Sequence, residues 1–292
     1  MLSRCMKRTI SIVGAGRVGR TLAKRLHTLG WRVGAVVTRS NRSARAAVRA
    51  IGAGTPHARL TPEVAAADVV LVTTPDGAIA GAAESLARIA PQKWRGKVVL
   101  HSSGALAGSV LAPLARRGAS TGSLHPMQTF SGRGLPHLQG VIFSVEGDAR
   151  AQKLAKQVAL SLGGVPVAIQ GKNKPAYHAA GALVAGHGVS LVEAAVQVLR
   201  KIGFNRRRAA QALLPLIRQM LDNYERLGPH AAWTGPLSRG DYAVVKKHVE
   251  ALRAYPREFG DTYRALALLS ARVLSNRPGA TRKNLARALD KA

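Results

Sequence analysis

The chain has 292 residues, 47% of them hydrophobic, and its 30 glycines are spread along the sequence. This length favours two domains, and the apolar content excludes a disordered or fibrous protein. The net charge is +30, from 44 lysines and arginines against 14 acidic residues, and the single cysteine, Cys5, excludes an intramolecular disulfide framework and is typical of a reducing compartment.

The first 170 residues alternate between short apolar runs, typical of buried strands, and amphipathic stretches, typical of helices. The predicted strands are Thr9–Val13, Val33–Thr38, Val69–Thr73, Lys97–His101, Ser120–Leu124, Val141–Val145 and Val165–Ile169. The predicted helices are Arg17–Leu29, Ser43–Ile51, Leu106–Arg117 and Ala149–Leu162. Repeated strand–helix–strand units require a parallel sheet with helices on both faces, so this half predicts a doubly wound α/β domain.

After Gly171 the strand pattern stops, which places a predicted domain boundary there. The predicted helices that follow are Pro175–Ile202, Arg206–Leu227, Asp241–Ala254, Thr262–Leu274 and a short one near Thr281–Leu289. Pro215 should kink the second of them. The most apolar stretch, Ala176–Leu199, is interrupted by histidine, glutamate and glutamine, so we interpret it as a buried helix of a soluble protein.

A glycine fingerprint follows the first predicted strand and opens the first predicted helix. In Gly14-Ala-Gly16-Arg17-Val18-Gly19, the first glycine permits a tight turn and the second lets the backbone approach a diphosphate. The third allows the helix to pack closely on the strand. A diphosphate would then lie at the helix N-terminus, where free N–H groups favour an anion. We therefore predict a dinucleotide site formed by these residues.

The end of the second predicted strand indicates which dinucleotide binds. An NAD site usually places an acidic residue there, but the sequence has no acid from Met1 to Pro62. It has Arg39, Ser40 and Arg42 instead, and a guanidinium pairs well with a 2′-phosphate. The alternative is that these are ordinary solvated arginines of an arginine-rich protein. The pattern favours NADP.

Five further motifs form an ordered set that resembles a known family. They are Thr73-Thr74-Pro75-Asp76, His101-Ser102-Ser103-Gly104-Ala105-Leu106, His125-Pro126-Met127, Lys174-Pro175-Ala176-Tyr177-His178 and Thr234-Gly235-Pro236 through Arg239-Gly240-Asp241. From Thr9 to about Leu274 the chain resembles Rossmann-like oxidoreductases with a C-terminal helical domain of unknown function. These are distant relatives of β-hydroxyacid dehydrogenases, pyrroline-5-carboxylate reductases and deazaflavin-dependent NADP reductases.

The resemblance implies an α/β fold with two domains. A doubly wound Rossmann domain over residues 1–170 would bind a nicotinamide cofactor, and a C-terminal all-helical domain over residues 171–292 would serve the substrate or dimerisation. The resemblance also implies oxidoreductase chemistry, without fixing the substrate. It places Thr73, Thr74 and Pro75, at the carboxyl edge of the sheet, under the nicotinamide ribose. Asp76 is expected to cap the next helix rather than to act in catalysis.

Polar side chains at the ends of the next two strands are candidates for substrate contacts. The imidazole of His101, the hydroxyls of Ser102 and Ser103 and the permissive Gly104 could hold a substrate carboxylate or carbonyl against the nicotinamide. The alternative is a polar turn that satisfies its own backbone. His125 is a further candidate for substrate binding, or else part of the local architecture.

Lys174 and His178 are spaced i, i+4 and therefore share one helix face. In the β-hydroxyacid dehydrogenases a comparable Lys-x-x-x-Asn opens the second domain, and its lysine is the proton donor. Histidine replaces the asparagine here, so the resemblance leaves either residue as the donor, with Ser102 and Ser103 across from them. The alternative is a surface lysine beside a core histidine. Arg239 could clamp an anionic substrate or pair with Asp241.

Together these features predict a cytoplasmic, homodimeric NADP-dependent oxidoreductase that acts on a small anionic substrate. The alternative is a non-catalytic NADP-binding sensor or scaffold. The +30 charge indicates either an anionic partner or a coding bias spread over solvated surfaces. We expect no specific nucleic-acid partner, because no binding motif accompanies that charge. We also expect no metal site, from the histidine spacings, and no membrane partner. Residues Met1 to Arg8 lack the apolar segment of a signal peptide.

Overall fold

The computed structural model describes residues 8–132 and 134–289, so Cys5 and nearly all of the segment from Met1 to Arg8 lie outside the described residues. Backbone contacts divide the chain into two compact units, of which the first ends at Ala185 and the second begins at Gly186. This division follows the composition shift at Gly171, because the helix after Gly171 is anchored on the first unit. The predicted domain limits, 1–170 and 171–292, stay a prediction.

The first unit is built on one eight-stranded sheet. Its strands are β1 (Thr9–Val13), β2 (Arg32–Val37), β3 (Thr55–His57), β4 (Val69–Val72), β5 (Val98–His101), β6 (Ser120–Pro126), β7 (Ile142–Gly147) and β8 (Val165–Ala168). They lie in the order β3-β2-β1-β4-β5-β6-β7-β8, which reverses direction at β1. The predicted doubly wound α/β fold is confirmed.

Two features of the sheet differ from the prediction. β7 runs antiparallel to β6, whereas the other neighbouring pairs are parallel. Residues 127–132 and 134–141 form no helix between these two strands, and a parallel pair would need a crossover, usually helical. The short strand β3 was not predicted, because it contains Pro56, which a strand tolerates at a sheet edge.

Helices cover both faces of the sheet. They are α1 (Arg17–Thr28), α2 (Asn41–Ile51), α3 (Asp76–Ile89), α4 (Ala112–Ala115), α5 (Ala149–Ser161) and α6 (Lys174–Val184). One core cluster joins the sheet to α1, α2 and α5, and another joins it to α3 and α4. Short 3₁₀ turns are formed by Pro62–Ala66, Gly108–Leu111 and Gly171–Asn173. The predicted helix Leu106–Arg117 is therefore a 3₁₀ turn followed by the single turn α4.

The second unit is helical, as predicted. Its helices are α7 (Gly186–Lys201), α8 (Arg206–Ala232), α9 (Tyr242–Leu252), α10 (Arg257–Val273) and α11 (Pro278–Leu289). Buried apolar residues of α9, α10 and α11 form its core. The break in α8 lies at Gly228, whose φ of 77° is left-handed, and Pro215 keeps helical backbone angles. The predicted helix Pro175–Ile202 is likewise two helices, divided at Ala185.

The prediction that Ala176–Leu199 is a buried helix is wrong. Among the described residues, α6 buries Lys174 and α7 buries Val196, and the other side chains of both helices are partly or fully exposed. These apolar helices therefore pack against few other residues of the described chain. The helical stretch Gly171–Lys201 has the length and composition of a membrane span, with a mean hydropathy of 1.5. The start of α6, however, is fixed by polar contacts to the sheet, because the Lys174 ammonium donates to the Ser123 hydroxyl at 2.8 Å.

Candidate functional site

The glycine fingerprint forms the turn between β1 and α1. Gly14 has a φ of 89°, and a Cβ on it would lie 2.6 Å from the Thr74 backbone nitrogen. A Cβ on Gly19 would collide with the Thr73 hydroxyl. Gly16 differs, because a Cβ there would meet only the Gly14 carbonyl oxygen, at 3.9 Å. Two glycines therefore allow the protein to pack, and the third keeps open the space at the start of α1.

The loop after β4 lies directly against this turn. The Thr73 hydroxyl donates to the Gly14 carbonyl oxygen at 2.8 Å and locks the two loops together. The Thr74 hydroxyl is buried and has no hydrogen-bond partner within residues 8–132 and 134–289. Pro75 occupies the N-cap position of α3, and Asp76 is its first helical residue. The prediction that Asp76 caps α3 is therefore wrong, because a residue inside the first turn cannot occupy the cap position.

Arg17 and Val18, the two other predicted cofactor-binding residues of the fingerprint, have different surroundings. The exposed Arg17 lies against Gly132, on which a Cβ would stand 3.2 Å from the Arg17 Nε. Val18 packs its side chain against the core, so its backbone is the part that α1 presents at its N-terminus. Arg17 can therefore contribute charge to a bound anion, and Val18 an N–H group.

The start of α2 is built from hydroxyls and flanked by free cations. Ser40 caps the helix by accepting the Ser43 backbone N–H at 3.2 Å, and the hydroxyls of Thr38 and Ser43 lie 2.6 Å apart. Arg39 and Arg42 are exposed, and neither forms a hydrogen bond or ion pair with another described residue. Sequence reasoning found the two arginines and Ser40 but missed Ser43, whose hydroxyl completes the network.

These features fit an NADP dinucleotide. The open space above Gly16 matches the approach of a diphosphate, and the buried, unpaired hydroxyl of Thr74 is an orphan that a ligand could satisfy. Arg39 and Arg42 provide unpaired guanidinium groups where a 2′-phosphate would lie. No acidic side chain precedes Glu63 in the sequence to compete for them.

His101 and Ser103 form a turn that satisfies its own backbone. The His101 Nδ1 accepts the Ser103 backbone N–H at 3.2 Å, and its Nε2 lies 3.2 Å from the Ala107 carbonyl oxygen. The Ser103 hydroxyl accepts two backbone N–H groups of the following turn. Burial, helped by the positive charge of Lys174, lowers the pKa of His101 to about 4. Both side chains are thus engaged, whereas the half-buried Ser102 hydroxyl has no partner among the described residues.

Beyond this turn, Gly104 lies against two imidazoles. A Cβ on Gly104 would stand 2.6 Å from the His178 Cδ2 and 2.7 Å from the His125 Nε2. The two rings meet edge to face with centroids 5.8 Å apart. The His125 Nδ1 is 3.2 Å from the hydroxyl of Tyr177, which sequence reasoning did not select. Burial, with Lys174 and His178 nearby, lowers the pKa of His125 to about 4, and burial raises the pKa of Tyr177.

Lys174 and His178 both lie near His125, but in different surroundings. Lys174 is fully buried, and its ammonium donates to Ser123 on β6 rather than reaching solvent. Burial lowers its pKa to about 8, partly offset by the carboxylates of Glu146 and Asp76. His178 is exposed beside Gly104. Their roles stay predictions, but of the two only His178 can exchange a proton with water directly.

A cavity of about 490 Å³ opens next to the two imidazoles. One wall contains His125, Met127, Gln128 and Thr129, and the other is formed by residues of α6 from His178 to Val184 and by Ala185, which follows the helix. Gly181 lets α6 approach, since a Cβ there would stand 2.8 Å from the Met127 sulfur. The sequence could not reveal this cavity, because its walls are distant in the chain.

Arg239 lies in the second unit, in the loop before α9, and is exposed. The suggested pairing with Asp241 is wrong, because the described residues show no ion pair between them. Asp241 instead caps α9 and accepts the Val244 backbone N–H at 3.3 Å. The described part of the chain gathers no group of three or more histidine, cysteine or acidic side chains that could hold a metal ion.

Comparison with protein families assigns both parts of the chain. Residues 3–126 match the model of a Rossmann-like domain, and residues 141–269 match the domain of unknown function DUF2520. The chain therefore consists of a Rossmann-like domain followed by a DUF2520 domain, which confirms the resemblance stated from the motifs. No curated protein sequence matches it.

Several solved structures share this fold. BF3122 from Bacteroides fragilis, provisionally described as an NADP oxidoreductase, is 23% identical, with a TM-score of 0.75 over 89% of this chain and 96% of its own. A reductive aminase from Aspergillus terreus, in complex with NADPH and ethyl-5-oxohexanoate, is 20% identical, with a TM-score of 0.66 over 91% and 94%. An imine reductase from Pseudomonas sp. is 18% identical, with a TM-score of 0.66 over 96% and 99%. At these identities the likeness establishes the fold alone.

Proposed function

We propose that this protein is an NADP-dependent oxidoreductase that reduces a small carbonyl or imine compound. The observation that carries the proposal is the open space above Gly16, next to the buried and unpaired hydroxyl of Thr74. A glycine-rich turn that served only to pack β1 against α1 would need neither feature. The fold shared with an NADPH-bound reductive aminase and an imine reductase supports the choice of reaction.

Three groups of residues would each hold a different part of the cofactor. The N–H groups at the start of α1 would hold the diphosphate, and Arg39 and Arg42 would hold the 2′-phosphate. Thr73 and Thr74 would contact the nicotinamide half at the carboxyl edge of the sheet, where doubly wound folds bind ligands. When bound, NADPH supplies the hydride.

The proton required by the reduction would come through His178. Hydride addition to a carbonyl or imine carbon leaves an electron pair on oxygen or nitrogen, and that atom must take a proton. His178 is exposed to solvent and lies beside Gly104, at the same edge of the sheet as Thr74. Burial keeps His101 and His125 neutral, and Lys174 would add to this effect as a buried positive charge. The anionic substrate predicted from the sequence rests on Arg239 and stays a prediction.

We also propose that the protein is a homodimer. Apolar side chains of α6 and of the second unit are strongly exposed, among them Val184 (76%), Val189 (70%) and Leu216 (66%). Large exposed apolar surfaces mark interfaces in soluble proteins. Light scattering of the purified protein should give twice the mass of the chain, and a monomer at assay concentrations would contradict this part of the proposal.

Turnover is the test of the oxidoreductase function. Purified protein should oxidise NADPH, followed by absorbance, with at least one member of a panel of aldehydes, ketones, keto acids and cyclic imines. At an NADPH concentration below saturation, Gly16→Ala should lower this turnover about tenfold or more at the same protein concentration. Tight NADPH binding without turnover of any panel member would favour a non-catalytic sensor or scaffold, and no NADPH binding would refute the proposal.

A further inference from the structure

The residues that line the cavity beside the two imidazoles indicate what kind of substrate group it can hold. Among the described residues that line it, none is lysine, arginine, aspartate or glutamate. Small and apolar residues of α6 and Met127 form most of its surface, and the two imidazoles lie at one end. A strongly charged group would lose its hydration there without gaining a partner. The cavity is therefore suited to an uncharged, compact group of the substrate.

His125 has an orientation that Tyr177 can fix. The phenol hydroxyl is 3.2 Å from the His125 Nδ1, and burial raises the pKa of the phenol, so it remains protonated near neutral pH. With the phenol as the donor, its hydrogen points at Nδ1. The neutral imidazole then carries its own hydrogen on Nε2, because one ring nitrogen is a donor and the other an acceptor.

The His125 Nε2 carries the hydrogen that a ligand could accept. It forms no hydrogen bond with another described residue, and it lies against Gly104, whose missing side chain gives the two imidazoles their space. Any larger residue at position 104 would press against both His125 and His178. Burial, and then the positive charge of Lys174, oppose protonation of the His125 ring. His125 is thus a neutral N–H donor at the edge of a compact, uncharged cavity.

We propose that His125, oriented by Tyr177, donates its Nε2–H to the carbonyl oxygen or imine nitrogen of a substrate whose uncharged, apolar substituent occupies this cavity. The inference rests on the proposed function. As the substrate carbon accepts the hydride, the π electron pair moves onto the oxygen or nitrogen, which the His125 N–H stabilises. That atom then takes a proton, which the exposed His178 would relay from water. His125 is a catalytic residue and Tyr177 a positioning residue.

The tautomer of His125 can be tested without any substrate. Nitrogen-15 NMR of the full-length protein should show an unprotonated Nδ1 and a protonated Nε2 for His125, identified by its loss in His125→Gln. Tyr177→Phe should shift the population towards a mixture of tautomers. Tyr224→Phe, which changes an exposed tyrosine in the second unit, is the matched control and should leave the spectrum unchanged. A hydrogen on Nδ1 in the unaltered protein would overturn the proposal.

Kinetics then test the catalytic role. Removing one donor to a developing negative charge lowers kcat by roughly 10²–10³-fold, so His125→Leu should show this loss with unchanged NADPH affinity. His125→Gln, whose amide can place an N–H near the same point, should recover part of it, and Tyr177→Phe should lose about tenfold by the same argument. Full activity in His125→Leu would refute the inference and leave the oxidoreductase function intact. Failure of the unaltered protein to bind NADPH would refute the function, whereas the tautomer measurement would still stand.

Discussion

Two neighbouring glycines should respond in opposite ways to the same substitution. In Gly16→Ala the new methyl group meets only a carbonyl oxygen at 3.9 Å, and the φ of −74° suits any residue. Because glycine is a better helix cap than alanine, we expect a loss of less than about 1 kcal/mol in unfolding free energy. The methyl would occupy the approach of the diphosphate, so NADPH affinity should fall at least about tenfold, or 1.4 kcal/mol.

Gly14→Ala should instead damage the fold. Its φ of 89° is left-handed, which costs alanine about 1–2 kcal/mol. The methyl would also lie 2.6 Å from the Thr74 backbone nitrogen, and such overpacking costs about 1–3 kcal/mol more. The total is about 2–5 kcal/mol, a large share of the stability of a typical domain.

The two variants are compared by urea unfolding and by fluorescence titration with NADPH. Gly16→Ala should keep the stability and lose the affinity, and Gly14→Ala should lose stability first. If Gly16→Ala binds NADPH as tightly as the unaltered protein, the start of α1 does not hold the diphosphate. Equal destabilisation of both variants would show that the space above Gly16 is not open.

Three further predictions concern the titration of His101, the titration of Lys174 and the packing of α6. Because the neutral native His101 has a pKa of about 4 against 6.5 ordinarily, acid should favour unfolding, and the unfolding free energy should fall by about 3 kcal/mol between pH 6.5 and 4. Urea titrations should show a smaller fall in His101→Gln, and an identical fall would contradict the assignment. The buried ammonium of Lys174, with a pKa of about 8 against 10.5, should make stability rise by up to about 3 kcal/mol from pH 8 to 10.5, and Lys174→Met should remove that rise. Gly181→Val should lower the melting temperature by forcing α6 away from Met127, whereas Gly186→Val, which meets nothing within 4 Å, should have a smaller effect, and equal losses would argue against this packing.

The fold was largely predictable because its signals are local. Short apolar runs located most of the strands, and the glycine fingerprint located the turn between β1 and α1. The antiparallel β7 was not predictable in this way, since strand direction depends on how the chain crosses the sheet rather than on residues within the strand. The exposure of α6 and α7 was also missed, because apolar periodicity predicts that a face is covered without saying what covers it.

The candidate site was predicted in part for a similar reason. Motifs at strand ends identified Thr74, Gly104 and His125, which lie at one edge of the sheet, and the motif that opens α6 identified His178, which lies beside Gly104. The partner of each polar group could not be predicted, because the partners come from other strands and helices. Ser123, which receives the Lys174 ammonium, gives no sequence signal of its own.

The central claim is that this chain binds NADPH through the turn after β1 and the arginines after β2. The measurement that tests it most directly is a fluorescence titration of the purified protein with NADPH and with NADH under identical conditions. We expect NADPH to bind at least about tenfold more tightly, roughly 1.4 kcal/mol, and Arg39→Asp to erode that preference by repelling the 2′-phosphate. Equal affinities for the two cofactors, or a preference that survives in Arg39→Asp, would contradict the account.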